Sequence, residues 1–138
     1  MRTTHSGVLP VKALATTSVT QGGGAVTTSA VDLGAFGNNF RDALFLVYSG
    51  TLADGAYAIT VQECDTSGGT YAAVDSFRVQ GTLPAFAASD DATLKYFGVR
   101  PTKRYVQAVI TPTGATSGGP FTVFAVLGNG GNNPPATS

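Results

Sequence analysis

Tyr57-Ala58-Ile59-Thr60-Val61-Gln62-Glu63-Cys64 alternates residue by residue. Tyr57, Ile59 and Val61 fall on one side of an extended chain, and Ala58, Thr60 and Gln62 on the other. A period of two with one apolar side marks a strand with one wet face. Asp54-Gly55 just before it is a tight-turn signal, because both residues tolerate positive φ. Asp65-Thr66-Ser67-Gly68-Gly69 just after it turns the chain toward a short strand at 71–74. Outward from this stretch, the same reading predicts strands at 11–19, 25–33, 43–49, 94–99, 105–111 and 121–127. The Gly22-Gly23-Gly24 run ends the first of these, and Gly34 to Asn39 is a turn-rich loop. Residues 80–91 read as a long loop. Pro112 is expected to end the strand before it, and 113–120 to close a hairpin onto the last strand.

About eight short strands at regular spacing, with no helical period over three turns, give an all-β chain. The expected fold is a single-domain β-sandwich, jelly-roll-like rather than immunoglobulin-like, since the Cys…Trp…Cys marker is absent. The expected limits are an N-terminal arm at 1–10, the sandwich at 11–128 and a flexible C-terminal tail at 129–138. At 138 residues the chain is long enough to build its own core. Val and Thr, stiff at the first side-chain torsion, suit strands.

Composition excludes more than it assigns. Charged residues make up 12% of the chain, about half the usual share, and 8 basic and 8 acidic side chains cancel. A near-neutral surface favours association. There is one His, one Cys and no Trp. A Ser-His-acid triad would have to use His5, in the polar arm, where no fixed geometry is expected. Cys64 has no basic neighbour in sequence to lower its pKa and reads as an inert, partly buried thiol. Cys and His are too few for a structural zinc site. Asp65 and Asp90-Asp91 are too sparse for calcium and read as solvated loops. The glycine runs match no phosphate-binding loop. No enzyme, cofactor, nucleic-acid or membrane function is expected. No apolar run approaches the roughly 20 residues that span a bilayer, no signal peptide is evident, and synthesis in a cytoplasm is the default.

Two features suggest a contact surface. Arg100-Pro101-Thr102-Lys103-Arg104-Tyr105 is the densest basic cluster, either a solvated turn or a contact to an acidic protein surface. Ala43 to Ser49 and Phe121 to Leu127 are apolar on both faces, through Phe45 and Val47 against Leu44, Leu46 and Tyr48, and through Phe124 and Val126 against Phe121, Val123, Ala125 and Leu127. A sandwich strand should have one wet face, so these need cover. Either the 80–91 loop supplies it through Leu83 and Phe86, or a neighbouring subunit does. The candidate interface residues are therefore Arg100, Lys103, Arg104, Tyr105, Phe124, Val126, Phe45, Val47 and Phe86.

Four stretches carry a family resemblance: Asp42-Ala-Leu-Phe-Leu-Val, Asp54-Gly-Ala-Tyr-Ala-Ile-Thr-Val-Gln-Glu, Lys103-Arg-Tyr-Val-Gln-Ala-Val-Ile-Thr, and Thr113-Gly-Ala-Thr-Ser-Gly-Gly-Pro-Phe-Thr-Val-Phe-Ala-Val-Leu-Gly. In order and spacing, over about 11–128, they resemble the capsid cement (head decoration) proteins of tailed bacteriophages, that of a Bordetella phage among them. These are strand and turn patterns, with no catalytic residues to transfer. The resemblance implies a jelly-roll protein on the outer surface of the virion, made in the host bacterial cytoplasm. It implies the major capsid protein as partner, neighbouring copies of which it would clamp once the DNA-filled shell has expanded. It also implies pairing of cement subunits as dimers on the capsid, with the arms bridging beyond the folded domain. The alternative is a β-sandwich adhesion or carbohydrate-binding module, for which Tyr48, Tyr57, Tyr71, Tyr96 and Tyr105 would have to replace the missing Trp.

Overall fold

A computed structural model describes residues 7–34 and 39–129. Eleven strands run through them: β1 (Val8–Val19), β2 (Val26–Thr27), β3 (Val31–Asp32), β4 (Asp42–Ser49), β5 (Ala56–Cys64), β6 (Ala72–Ala73), β7 (Val79–Gln80), β8 (Ala85–Ala87), β9 (Leu94–Val99), β10 (Tyr105–Thr113) and β11 (Gly119–Gly128). They form two antiparallel sheets. The first has the order β1-β11-β4-β9-β7; the second has the order β2-β10-β5-β6, with β3 also on β10 and β8 also on β5. The chain changes sheet at nearly every connection, so the expected all-β sandwich is what forms, with a jelly-roll-like wrap.

The core lies between the sheets. Ala43, Phe45 and Val47 of β4 and Phe121, Val123, Ala125 and Leu127 of β11 face Tyr57, Ile59 and Val61 of β5 and Val106, Ala108 and Ile110 of β10, all buried. The Phe121 ring meets Tyr57 of the opposite sheet at 4.9 Å and Phe86 edge-on at 5.2 Å. Phe45 and Phe97, cross-strand partners, stack at 5.3 Å. The alternation expected for 57–64 is the one observed, with Tyr57, Ile59 and Val61 inward.

Several local expectations are corrected. β10 and β11 are not a hairpin: they lie in opposite sheets, and 114–118 is a corner between layers. The Asp54 carboxylate holds that corner, accepting the Ser117 and Gly118 N–H groups at 3.0–3.3 Å. Gly118 sits at φ 64, and a Cβ there would lie 2.0 Å from the Val19 carbonyl oxygen, so only glycine fits. Pro112 does not end β10, which continues to Thr113. The Ala108 N–H and carbonyl point at Thr28, so by the ladder's two-residue period the missing donor of Pro112 points the same way, past the end of β2 at Ile110.

The single strand expected at 25–33 is two short ones, because Thr28 leaves the ladder between them. Its hydroxyl accepts the Ala108 N–H in place of a backbone carbonyl, and the next N–H, of Ser29, donates across to Ala13 of β1. The 80–91 loop contains β8, paired with β5. β1 starts at Val8, inside the expected arm. It also carries two register shifts against β11, each adding one residue on the β1 side, at Lys12/Leu14 and Leu14/Thr17. The rest of the expected arm and tail, at 1–6 and 130–138, lies outside the described residues.

Phe121→Ala empties the contact that joins the sheets. It should destabilise the fold by about 3–5 kcal/mol, read as a lowered urea midpoint with an unchanged m-value.

Candidate functional site

Cross-strand register fixes what the first sheet shows to solvent. With Phe45 and Val47 inward, Leu44, Leu46 and Tyr48 point outward. Leu46 stands between Phe124 of β11 and Tyr96 of β9; Tyr48 stands between Thr122 and Leu94; Leu44 stands between Val126 and Gly98. Phe124 is 45% exposed, Leu94 54% and Tyr96 65%. Charge enters only at the margins, through Lys12 opposite Phe124 and Asp42 at the end of β4. This is a contiguous, apolar, uncharged face across three adjacent strands.

The 80–91 segment does not cover it. Phe86 pairs with Tyr57 on β5 and turns into the core, 1% exposed. Lys95, inward-facing opposite Val47, passes over the Phe86 ring at 4.9 Å and reaches Asp90 at 3.3 Å. The ammonium itself therefore lies over the ring face, a cation–π contact, while it also meets the Asp90 carboxylate.

The nine expected interface residues are thus dispersed. Phe45, Val47 and Phe86 are corrected to core residues: strand parity turns the first two inward, and β8 carries the third under the sheet edge. Phe124 and Val126 lie on the outer face of the first sheet. Tyr105 lies on the outer face of the second, out of phase with buried Val106, and its ring takes the Arg104 guanidinium at 5.2 Å. The expected interface set left out Leu94, and Tyr96 entered only as a candidate sugar-stacking ring, because β9 gave no sign of which strand it would pair with.

Arg100, Lys103 and Arg104 line a cavity of about 980 Å³ at one end of the sandwich, together with Arg41, Arg78 and Phe77. Two of these cations are already engaged. Arg104 donates to both oxygens of Asp32 at 2.7 and 3.0 Å, and Lys103 pairs with Asp65 at 3.0 Å. The guanidinium of Arg104 holds the Asp32 carboxyl below its ordinary value of 3.8, aided by the Gly34 N–H and opposed by partial burial. Asp65 raises Lys103 in turn.

The other candidate groups have structural partners. Asp90 accepts the Ala87 N–H, and Asp91 accepts the Leu52 N–H. Cys64 is half-buried, with its sulfur 3.9 Å from the Thr66 hydroxyl. His5 lies outside the described residues.

The sequence matches no protein-family profile and no curated protein. Among solved structures, the chain is similar to the SPBc2 prophage-derived protein YomS, at 15% identity and a TM-score of 0.43, over 86% of this chain and 94% of that one. It is also similar to a chain of the infectious bursal disease virus Gx strain structure, at 14% identity and a TM-score of 0.49, over 92% of this chain and 34% of that one. The VP2 subviral particle of infectious bursal disease virus follows at 13% identity and a TM-score of 0.31. Likenesses this distant transfer no function.

Asp32 titrates below its ordinary value, so its contribution to stability is complete above pH 3.8 and is lost as the pH falls through the lower folded-state value. Asp32→Asn should therefore lower stability at neutral pH and flatten its decline below pH 3.8, as followed by thermal unfolding at a series of acid pH values.

Proposed function

We propose that this chain is a capsid cement protein: a decoration subunit that binds the outside of an icosahedral phage head and clamps neighbouring major capsid proteins once the DNA-filled shell has expanded. The observation that carries the reading is the outer face of the first sheet, where half-buried Leu46 stands between exposed Tyr96 and Phe124 in one row that meets a charge only at its Lys12 end. Such a patch on a small domain marks a contact surface, and aromatic residues are enriched in the centres of interfaces. The cement-like order of strand and turn motifs over 11–128 supports the same reading.

The physics suits a lattice. A modest contact repeated over a shell gains avidity from multivalency. A subunit that binds only the assembled, expanded shell stabilises that state by linkage. The apolar face offers one contact surface, to the shell or to a second subunit across a local two-fold position. The chain's near-zero net charge removes the repulsion that would oppose close packing of copies.

Heads assembled without this protein should form but rupture at lower temperature or milder osmotic shock, and adding the purified protein should restore them. Tyr96→Glu with Phe124→Glu should leave the fold intact, since both side chains face solvent. It should also reduce co-sedimentation with empty expanded shells at least tenfold, a loss of about 1.4 kcal/mol. Unchanged rupture, unchanged shell binding, or saturable glycan binding by the free protein would count against the cement role.

A further inference from the structure

The cavity at the end of the sandwich has a charge imbalance that the apolar face does not explain. It is lined by five of the chain's eight Lys and Arg residues. Lys103 and Arg104 have their carboxylates in Asp65 and Asp32. Arg41, Arg78 and Arg100 form no ion pair with any Asp or Glu. Every Asp and Glu of the chain lies among the described residues, so no side-chain carboxylate elsewhere is left to neutralise them. The Nε of Arg78 is buried and finds no acceptor among the described residues. Three separate segments thus bring three uncompensated guanidinium groups to one cavity: the start of β4, the 3-10 turn Ser76–Arg78 and the turn after β9.

The turn also presents Phe77, 78% exposed, with the Arg78 guanidinium 5.1 Å from its ring. An apolar ring beside a set of planar donors is a mixed surface. A guanidinium binds a carboxylate with two parallel hydrogen bonds, whereas an ammonium acts as a point charge. The Arg78 donor that is buried and unmatched is a place where an incoming acceptor gains most. The volume is at the upper end of the roughly 300–1,000 Å³ of ligand sites, more than a single ion fills.

We infer that this cavity is a docking groove for an acidic peptide segment of a partner protein. In it, carboxylates engage Arg41, Arg78 and Arg100, and an apolar side chain rests on Phe77. A polyphosphate fits less well, because it has no apolar side chain to rest on the exposed Phe77 ring. The inference is independent of the cement reading, since it rests on the charge inventory of the groove alone.

The probe is a fluorescein-labelled peptide of about ten residues, rich in Asp and Glu with one central Phe, titrated with the full-length protein and followed by anisotropy. Saturable binding is expected, weakening as ionic strength rises through the range where the Debye length falls from about 30 Å to about 10 Å. Arg41→Gln with Arg78→Gln and Arg100→Gln should weaken it by about tenfold or more. Arg100→Gln alone, at an exposed position that cannot endanger the fold, should weaken it by about twofold to fivefold. Lys95→Gln, outside the groove, should leave it unchanged. Absence of saturable binding by the wild-type protein overturns the inference, as does an Arg100→Gln affinity equal to wild type. Tighter binding of an oligothymidylate of matched charge overturns it in favour of a nucleic-acid groove. Loss of peptide binding with shell binding intact, or the reverse, separates this site from the apolar face.

Discussion

The Phe121 ring is the point at which the two sheets become one core. It belongs to the first sheet, yet it contacts Tyr57 across the layer gap and Phe86 from the strand appended to β5. For Phe121 to arrive there, β10 must end in one sheet and β11 begin in the other. That crossing is made possible by Gly118, whose backbone passes close to Val19, and by Asp54, which collects the freed N–H groups of the corner. The Tyr57 hydroxyl donates in turn to the Asp54 carbonyl at 2.7 Å, so the aromatic contact and the corner brace each other. Buried polar groups that complete one another in this way fix a single arrangement rather than merely a compact one.

Once β11 is fixed, parity does the rest. From Phe121 to Gly128 it pairs with the whole of β4, and with β1 on the other side, and this sets which residues of these three strands face outward. The same alternation that sends Phe45 and Val47 into the core sends Leu44, Leu46 and Tyr48 to the surface. The exposed apolar face is therefore no accident of a loose loop. It is the obligatory other side of a strand whose two faces are both apolar.

Much of the fold could be read in the residues. The wet-and-dry alternation of 57–64 is local, and so is the double apolar character of 43–49 and 121–127. Which of the two apolar faces turns inward is not local: it depends on partners far away in sequence. The glycine-rich corner at 114–118 looks the same whether the chain turns within a sheet or between sheets. Pro112 reads as a stop until the neighbouring strand is seen to end first. The groove was the least legible part. Arg100, Lys103 and Arg104 form a visible cluster, but Asp32, which engages Arg104, is 72 residues away. Arg41 and Arg78 stand alone in sequence and meet the cluster only when the sandwich closes.

The two register shifts in β1 bear on how copies of this protein can meet. β1 is an edge of the first sheet, and the opposite edge, β7, is only two residues long. An unbroken edge strand is a template on which another molecule's strand can add, and repeated addition grows a fibril. A bulged edge on one side and a stub on the other give an incoming strand no continuous ladder to extend. Contact is thereby steered from the edge to the face, where two copies meeting through the same patch close on each other, whereas strand addition along an edge leaves a new edge free each time.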